Sequence, residues 1–314
     1  MRIAFVGKGG SGKTTLSSLF VRWLTIATKH HVVAVDADIN SHLHQLVGVP
    51  RPNRGLSQPE HFEWLKQYVR GTNARVPENR YVIRTTPPGQ GSRLIRFDRE
   101  DECLSYFAER SAALSFITVG GYLATDVGMK CYHNNLEALE ILLAHSIELP
   151  RDIYVLDMVA GVDAFATTLF AQIDAFFFVV EPTEESVGVY KNFLELAQQS
   201  GVADRVFAVA NKIEDVHDLA FLKQLAGLTP AATFPYHKHL RQVRQRGEIV
   251  RFEELGESVS MFEALLSRVT PMHPDERLKR MHTLHRGYMK RSHIAPVLGD
   301  LSMQIDDTFQ FPSV

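Results

Sequence analysis

The chain alternates two kinds of apolar pattern. Apolar runs occur at Ile3–Val6, Val32–Val35, Ile153–Leu156, Ala175–Val180 and within 205–210, with a mainly apolar one at Leu114–Val119 and a short one near Thr233. Runs of this length without polar alternation are those of strands buried on both faces. Between them, apolar residues return every three or four positions. Leu16, Leu19, Phe20, Trp23, Leu24 and Ala27 do so within 14–29, and Leu136, Leu139, Leu142 and Leu143 within the next such stretch. A third helix is expected to start at a cap supplied by Thr183 or Glu184 and to run to about Ser200. This strand–helix alternation predicts an α/β fold, a doubly wound and mostly parallel sheet flanked by helices, with ligand chemistry at the carboxyl ends of the strands. Residues 50–92, punctuated by prolines, read as an elaboration on that core. It holds a helix over 60–70, a short strand at Tyr81-Val82-Ile83, and a face of His61, Phe62, Trp64, Leu65 and Tyr68 that packs on the domain or on a partner. No repeat, low-complexity stretch or interdomain linker interrupts the pattern.

The first strand runs straight into Gly7-Lys8-Gly9-Gly10-Ser11-Gly12-Lys13-Thr14-Thr15, which satisfies the phosphate-loop pattern G-x-x-x-x-G-K-[ST] from Gly7 to Thr14. A glycine-rich turn entering a helix aims several backbone N–H groups into one hollow, and the helix dipole adds positive potential there. Phosphate oxygens fit that hollow. Gly9, Gly10, Ser11, Gly12, Lys13, Thr14 and Thr15 are the cradle, with Lys13 reaching the terminal phosphates and the Thr14 hydroxyl on Mg²⁺. The second strand delivers Asp36 and Asp38 at its carboxyl end, and the strand over 152–157 delivers Asp157, followed by Gly161.

Composition adds mainly exclusions. Over 314 residues, 34 Lys/Arg stand against 36 Asp/Glu, so no whole-molecule charge draws the chain to nucleic acid or anionic membrane. Cys103 and Cys131 are the only cysteines, which excludes a disulfide framework. With no apolar run approaching about 18 residues and a strand at the start, the cytoplasm is the expected location.

Lys8 sharpens the reading. The form K-G-G-x-G-K-T-T resembles the deviant Walker A loop of the MinD/ParA/nitrogenase-iron-protein class. That resemblance implies a Mg²⁺-dependent ATPase that binds ATP or ADP and forms a homodimer when ATP-bound, Lys8 of each subunit reaching the other's nucleotide. It also implies Asp38 beside the attacking water, Asp36 nearer Mg²⁺, Asp157 on a Mg²⁺-bound water and the Gly161 amide sensing the γ-phosphate. Glu181-Pro182-Thr183 looks like the same class. Asn211 stands where relatives hold the adenine, and the segment around Pro235 resembles the one that closes over the base.

The passage Asp126–Asn135, with Cys131-Tyr132-His133 in it, narrows the resemblance. Its glycine lead, Cys-Tyr-x-x-Asn core and Leu-rich helix resemble the metal-binding segment of CooC-type ATPases, which assist nickel insertion into carbon monoxide dehydrogenase and carry Cys-x-Cys there. His133 replaces the second cysteine. Cys131 and His133 from two subunits make a Cys₂His₂ set suited to Zn²⁺ or Ni²⁺ across the dimer; the other reading is that the metal site is lost and Cys131 is a packing residue.

The resemblance covers 1–269, read as the ATPase domain, and leaves 270–314 as a C-terminal extension, a basic helix plus tail. Arg277–Arg291 carries six Lys/Arg and no acid, with Leu278, Met281, His285 and Tyr288 on one helical face. A helix packed on the protein itself or on the dimer partner, and one that contacts DNA or membrane, are the two readings. The expected function is an ATP-driven dimerising switch for metallocentre maturation in an unidentified client, possession of a metalloenzyme client being what the CooC resemblance implies. The alternatives are a ParA/MinD-like positioning ATPase on DNA or membrane, and an ATPase scaffold for some other client complex.

Overall fold

The computed structural model describes residues 1–97, 100–121, 135–291 and 295–312. The strands are β1 (Arg2–Gly7), β2 (His31–Ala37), β3 (Ile95–Arg96), β4 (Glu109–Arg110), β5 (Leu114–Thr118), β6 (Ser146–Ile147), β7 (Asp152–Met158), β8 (Ala175–Val180), β9 (Val206–Ile213) and β10 (Ala232–Pro235). Eight of them form one sheet in the order β10-β9-β8-β1-β7-β2-β5-β4. All pairings in it are parallel except the short β4–β5 edge. A separate pair, β3 and β6, lies outside it.

The period of two along each central strand decides which core a residue enters. Ile3, Phe5, Val32, Ala34, Ile153, Val155, Phe177 and Val179 face one core. Their neighbours Ala4, Val6, Val33, Val35, Tyr154, Leu156, Phe176 and Phe178 face the other. The first core is closed by the helices Lys13–Ala27 and Ser260–Leu266, where the Phe20 ring lies 5.6 Å from Phe5 and 5.9 Å from Phe262. The second is closed by Leu136–Ala144, by Glu184–Gln199 through Phe193, and by the 50–97 elaboration through Leu56, Leu65 and Val69.

The elaboration contains the expected helix, Pro59–Arg70, with His61, Leu65, Tyr68 and Val69 buried. Trp64 stacks between Tyr106 at 4.2 Å and Tyr68 at 5.1 Å, so its face is packed on the chain itself. The strand expected at Tyr81–Ile83 is not formed: Asn79–Tyr81 is a 3₁₀ turn, and Val82 and Ile83 are buried without a neighbouring strand. Val82 packs into the main core, and the segment's polar groups are met by the C-terminal tail. Thr86 Oγ1 donates to Gln304 Oε1 at 2.9 Å, and Gln304 Nε2 donates to the Tyr81 carbonyl at 2.7 Å.

The basic helix, Pro274–Met289, packs on the domain with Arg277, Leu278, Met281, His282 and His285 buried. His285 Nε2 contacts the Leu301 carbonyl at 2.9 Å and its Nδ1 the Thr85 hydroxyl at 3.0 Å. Arg277 reaches beneath the sheet to Glu148 and, at 2.7 Å, to Asp174, while Arg2 Nε meets the same Glu148 at 2.5 Å. The helix's apolar face is thus occupied by its own chain; Lys279, Arg286, Lys290 and Arg291 remain exposed. Among the described residues, no helix is long and apolar enough to cross a membrane.

Candidate functional site

β1 lies between β7 and β8, so the loop leaving its carboxyl end opens at the middle of the sheet. Gly7 adopts φ 143°, and a Cβ there would lie 2.4 Å from the Val179 carbonyl oxygen. Only glycine lets the loop pass so close to β8. Gly12, at φ 98°, turns the chain into the helix Lys13–Ala27. The loop closes on itself through the Ser11 N–H, which donates to the Lys8 carbonyl at 3.2 Å.

Lys13 starts that helix and folds back over the loop. Its side chain is buried, with Nζ 3.4 Å from the Lys8 carbonyl oxygen. Burial lowers its pKa, and the charges of Asp157 and Asp38 partly restore it. Lys8 is half-buried, and Gly9 and Gly10 are exposed. Ser11 is buried with no hydrogen-bond partner for its hydroxyl.

The register places Asp36 of β2 directly beside Asp157 of β7, at the carboxyl ends of both. Burial, and then the other's negative charge, pushes the Asp36 carboxyl up to about 7 even though the Leu43 and Asp38 N–H groups donate to it. Asp157 is also raised to about 7 by burial, against the lowering effects of the Thr14 hydroxyl and Lys13. Neither Asp157 oxygen has a hydrogen-bond partner of good geometry among the described residues; the Thr14 and Ser17 hydroxyls stand beside it without closing such a bond. Two adjacent buried carboxyls, of which Asp157 is short of partners, with a hydroxyl next to them, form a hard oxygen donor set that fits a divalent cation such as Mg²⁺. Among the described residues no three His, Cys, Asp or Glu side chains gather as a metal cage. The fit is therefore to a cation that keeps water or phosphate ligands.

Asp38 sits on the loop after β2, half-buried, and its Oδ1 accepts from the Asn40 backbone at 2.9 Å and side chain at 3.0 Å. Gly161, at φ 92°, donates its N–H to the Gly7 carbonyl at 3.0 Å. The amide expected to sense a phosphate thus joins the loop after β7 to the first glycine of the phosphate loop.

Beside the loop opens a cleft of about 690 Å³. Leu16, Leu19, Phe234, Leu240 and Leu255 supply apolar walls, Pro235 and Tyr236 a rim, and Asn211 and Lys212 the edge next to Gly10 and Gly12. Asn211 Nδ2 donates to the Ser11 carbonyl at 2.7 Å. Lys212 Nζ donates to the Gly10 carbonyl at 2.8 Å and pairs with Glu181. The Lys212–Glu181 clamp was not singled out from the sequence, although Asn211-Lys212 and Glu181-Pro182-Thr183 both stood at strand ends. Leu240 and Arg241 carried no signal beyond helical spacing. Lys13, Thr14, Asp36, Asp157, Gly161 and Asn211 converge at one end of the sheet. Cys131 and His133 lie outside the described residues.

Comparison with known proteins agrees with this arrangement. The chain is 25% identical over 222 residues to the carbon monoxide dehydrogenase accessory protein CooC of Rhodospirillum rubrum, covering 71% of this chain and 78% of that one. It is 23% identical over 272 residues to an uncharacterised ATP-binding protein of Methanocaldococcus jannaschii, covering 84% of this chain and 99% of that one. Among solved structures, a plasmid partition protein of Borrelia burgdorferi bound to AMPPNP superposes with a TM-score of 0.55 at 14% identity, over 85% of this chain and 99% of that one. The cell division ATPase MinD of Pyrococcus furiosus does so at 0.53 and 17% identity, over 85% and 97%. The model of the CobQ/CobB/MinD/ParA nucleotide-binding domain matches residues 3–259, and the chain belongs to that family.

Proposed function

We propose that this chain binds ATP with Mg²⁺, pairs face to face with a second copy, and hydrolyses ATP as a switch serving metallocentre maturation in a client enzyme. The observation that carries the nucleotide part is the buried Lys13 folded over the glycine loop beside the unpartnered Asp157 and its neighbour Asp36. The apolar cleft bounded by Asn211 and Pro235 has the character of a base site. The kinship with CooC supports the output.

In this reading Asp36, Asp157 and Thr14 would hold Mg²⁺, which would neutralise phosphate charge. Lys13 places its cation against the terminal phosphates, where charge grows as the bond to the leaving oxygen breaks. Lys8 contacts the phosphates held by the partner subunit, and Asp38 orients the attacking water. Gly161 exchanges its bond to the Gly7 carbonyl for one to the γ-phosphate, which moves the segment after β7. Cys131 and His133 of two subunits would together offer a Cys₂His₂ set to one Zn²⁺ or Ni²⁺.

Metal analysis of the tag-free protein with Mg-ATP tests the specific output. One Zn or Ni per dimer, lost in Cys131→Ser while ATP hydrolysis persists, is the expected result. A metal-free dimer that hydrolyses ATP would remove the metallocentre role and leave the switch.

A further inference from the structure

At the opposite end of the sheet, three connections converge. The residues just before β2 (Thr28–His30), β5 (Arg110–Ala113) and β7 (Arg151) line, together with His31 and Phe97, a groove of about 290 Å³. Because all three strands run parallel to β1, this groove lies at their amino ends, across the sheet from the phosphate loop. We propose that it is a second anion site, one that takes a small, multiply charged phosphate compound.

Charge is the first support. Lys29, Arg110 and Arg151 are exposed, His30 and His31 are half-buried, and among the described residues no Asp or Glu lines the groove. Among the described residues none of Lys29, Arg110 and Arg151 makes an ion pair. Elsewhere Arg2, Arg84 and Arg277 meet their charge with carboxylates of the chain itself. Like charges gathered in one hollow without counter-charge raise the potential felt by an anion there. Asp152, next to Arg151, is fully buried; it faces His31 Nδ1 at 3.6 Å and accepts from the Leu149 N–H at 2.9 Å.

Preorganisation is the second. The His31 N–H donates to the Arg151 carbonyl at 3.0 Å and the Val32 N–H to the Ala113 carbonyl at 2.8 Å, while His30 Nδ1 lies 3.0 Å from that same Arg151 oxygen. The three connections are therefore tied together by backbone before any ligand arrives, so the cost of gathering the cations is met by folding. Size is the third. A hollow of about 290 Å³ is at the small end of ligand pockets and matches an inorganic polyphosphate or a sugar phosphate better than a polymer. The paired guanidinium donors of Arg110 and Arg151 suit phosphate oxygens, which they can engage bidentately.

Calorimetric titration of the full chain with pyrophosphate tests the site, with the phosphate loop as internal reference. The wild type should show two binding events. Lys13→Ala should lose the phosphate-loop event and keep the other. The double substitution Arg110→Gln, Arg151→Gln should keep the ATP affinity of the wild type and weaken the second event by about tenfold or more, and Arg110→Lys with Arg151→Lys should recover part of it. Both side chains replaced in the last two variants are exposed, so folding is not at stake, and unchanged ATP affinity reports it. A single event abolished by Lys13→Ala overturns the proposal. So does a second event indifferent to Arg110 and Arg151, or a groove that binds duplex DNA but that pyrophosphate does not compete for.

Discussion

Lys212 pairs with Glu181 at the end of the neighbouring strand while the same ammonium donates to the Gly10 carbonyl at 2.8 Å. Lys212 holds φ 59°, a left-handed conformation uncommon outside glycine, and the next bond along, from Asn211 to Ser11, fastens the loop at a second point. The phosphate loop is therefore clamped to β9 before it meets a ligand.

Removing the clamp should loosen the cradle. Lys212→Met is expected to weaken ATP binding by roughly tenfold, the worth of one charge-assisted hydrogen bond, and Lys212→Arg should recover part of the loss. Fluorescent-nucleotide titration reads this directly. Equal affinity for Lys212→Met and wild type would show that the clamp does not shape the site.

Gly12→Ala should be more damaging. The new Cβ would lie 2.3 Å from Asn211 Nδ2, at a φ of 98° that L-residues rarely adopt. Strain of about 1–3 kcal/mol localised at the loop predicts a tenfold to hundredfold loss of ATP affinity with the far-ultraviolet circular dichroism retained. Wild-type affinity in this variant would mean that the Asn211 contact is dispensable.

The fold was legible because the central strands are buried on both faces and so read as unbroken apolar runs. The phosphate loop was legible because its chemistry restricts residue type at fixed spacing. Tyr81–Ile83 misled because β-propensity was taken for pairing, when Val82 is buried by packing into the main core and the Tyr81 carbonyl is met by Gln304, more than 200 residues away in sequence. The β4 edge and the β3–β6 pair are each two residues long, too short to leave a periodicity. Lys212 stayed hidden because its partners, Gly10 and Glu181, are brought to it only by the order β9-β8-β1.

Arg277 fastens the basic helix to the sheet through the largely covered Glu148 and the buried Asp174. Arg277→Met leaves two acids beside a single remaining arginine, Arg2. A loss of about 3–5 kcal/mol is expected for breaking such a buried set, read as a lowered denaturant midpoint, together with faster hydrogen exchange over 274–289. Unchanged exchange there would show that the apolar contacts alone hold the helix.

Glu148 gives a pH signature. Burial would raise its carboxyl, but Arg2 and Arg277 outweigh burial and hold it at about 2, against an ordinary 4.5. A lowered folded-state pKa stabilises above the ordinary value, and that contribution disappears as pH falls toward 2. The stability gap between wild type and Glu148→Gln should therefore be full above about pH 5, on the order of 3 kcal/mol, and should shrink steadily below it. A gap that stays constant from pH 6 to pH 3 would contradict the ion network.

The central claim is that the phosphate loop is half of a two-subunit site, and solution mass with and without Mg-ATP tests it most directly. Light scattering should show the wild type doubling its mass with Mg-ATP, and Lys8→Ala remaining a monomer while binding ATP at close to wild-type affinity. A Lys8→Ala protein that dimerises and hydrolyses ATP like the wild type, or a wild type that stays monomeric when saturated with Mg-ATP, would contradict the account.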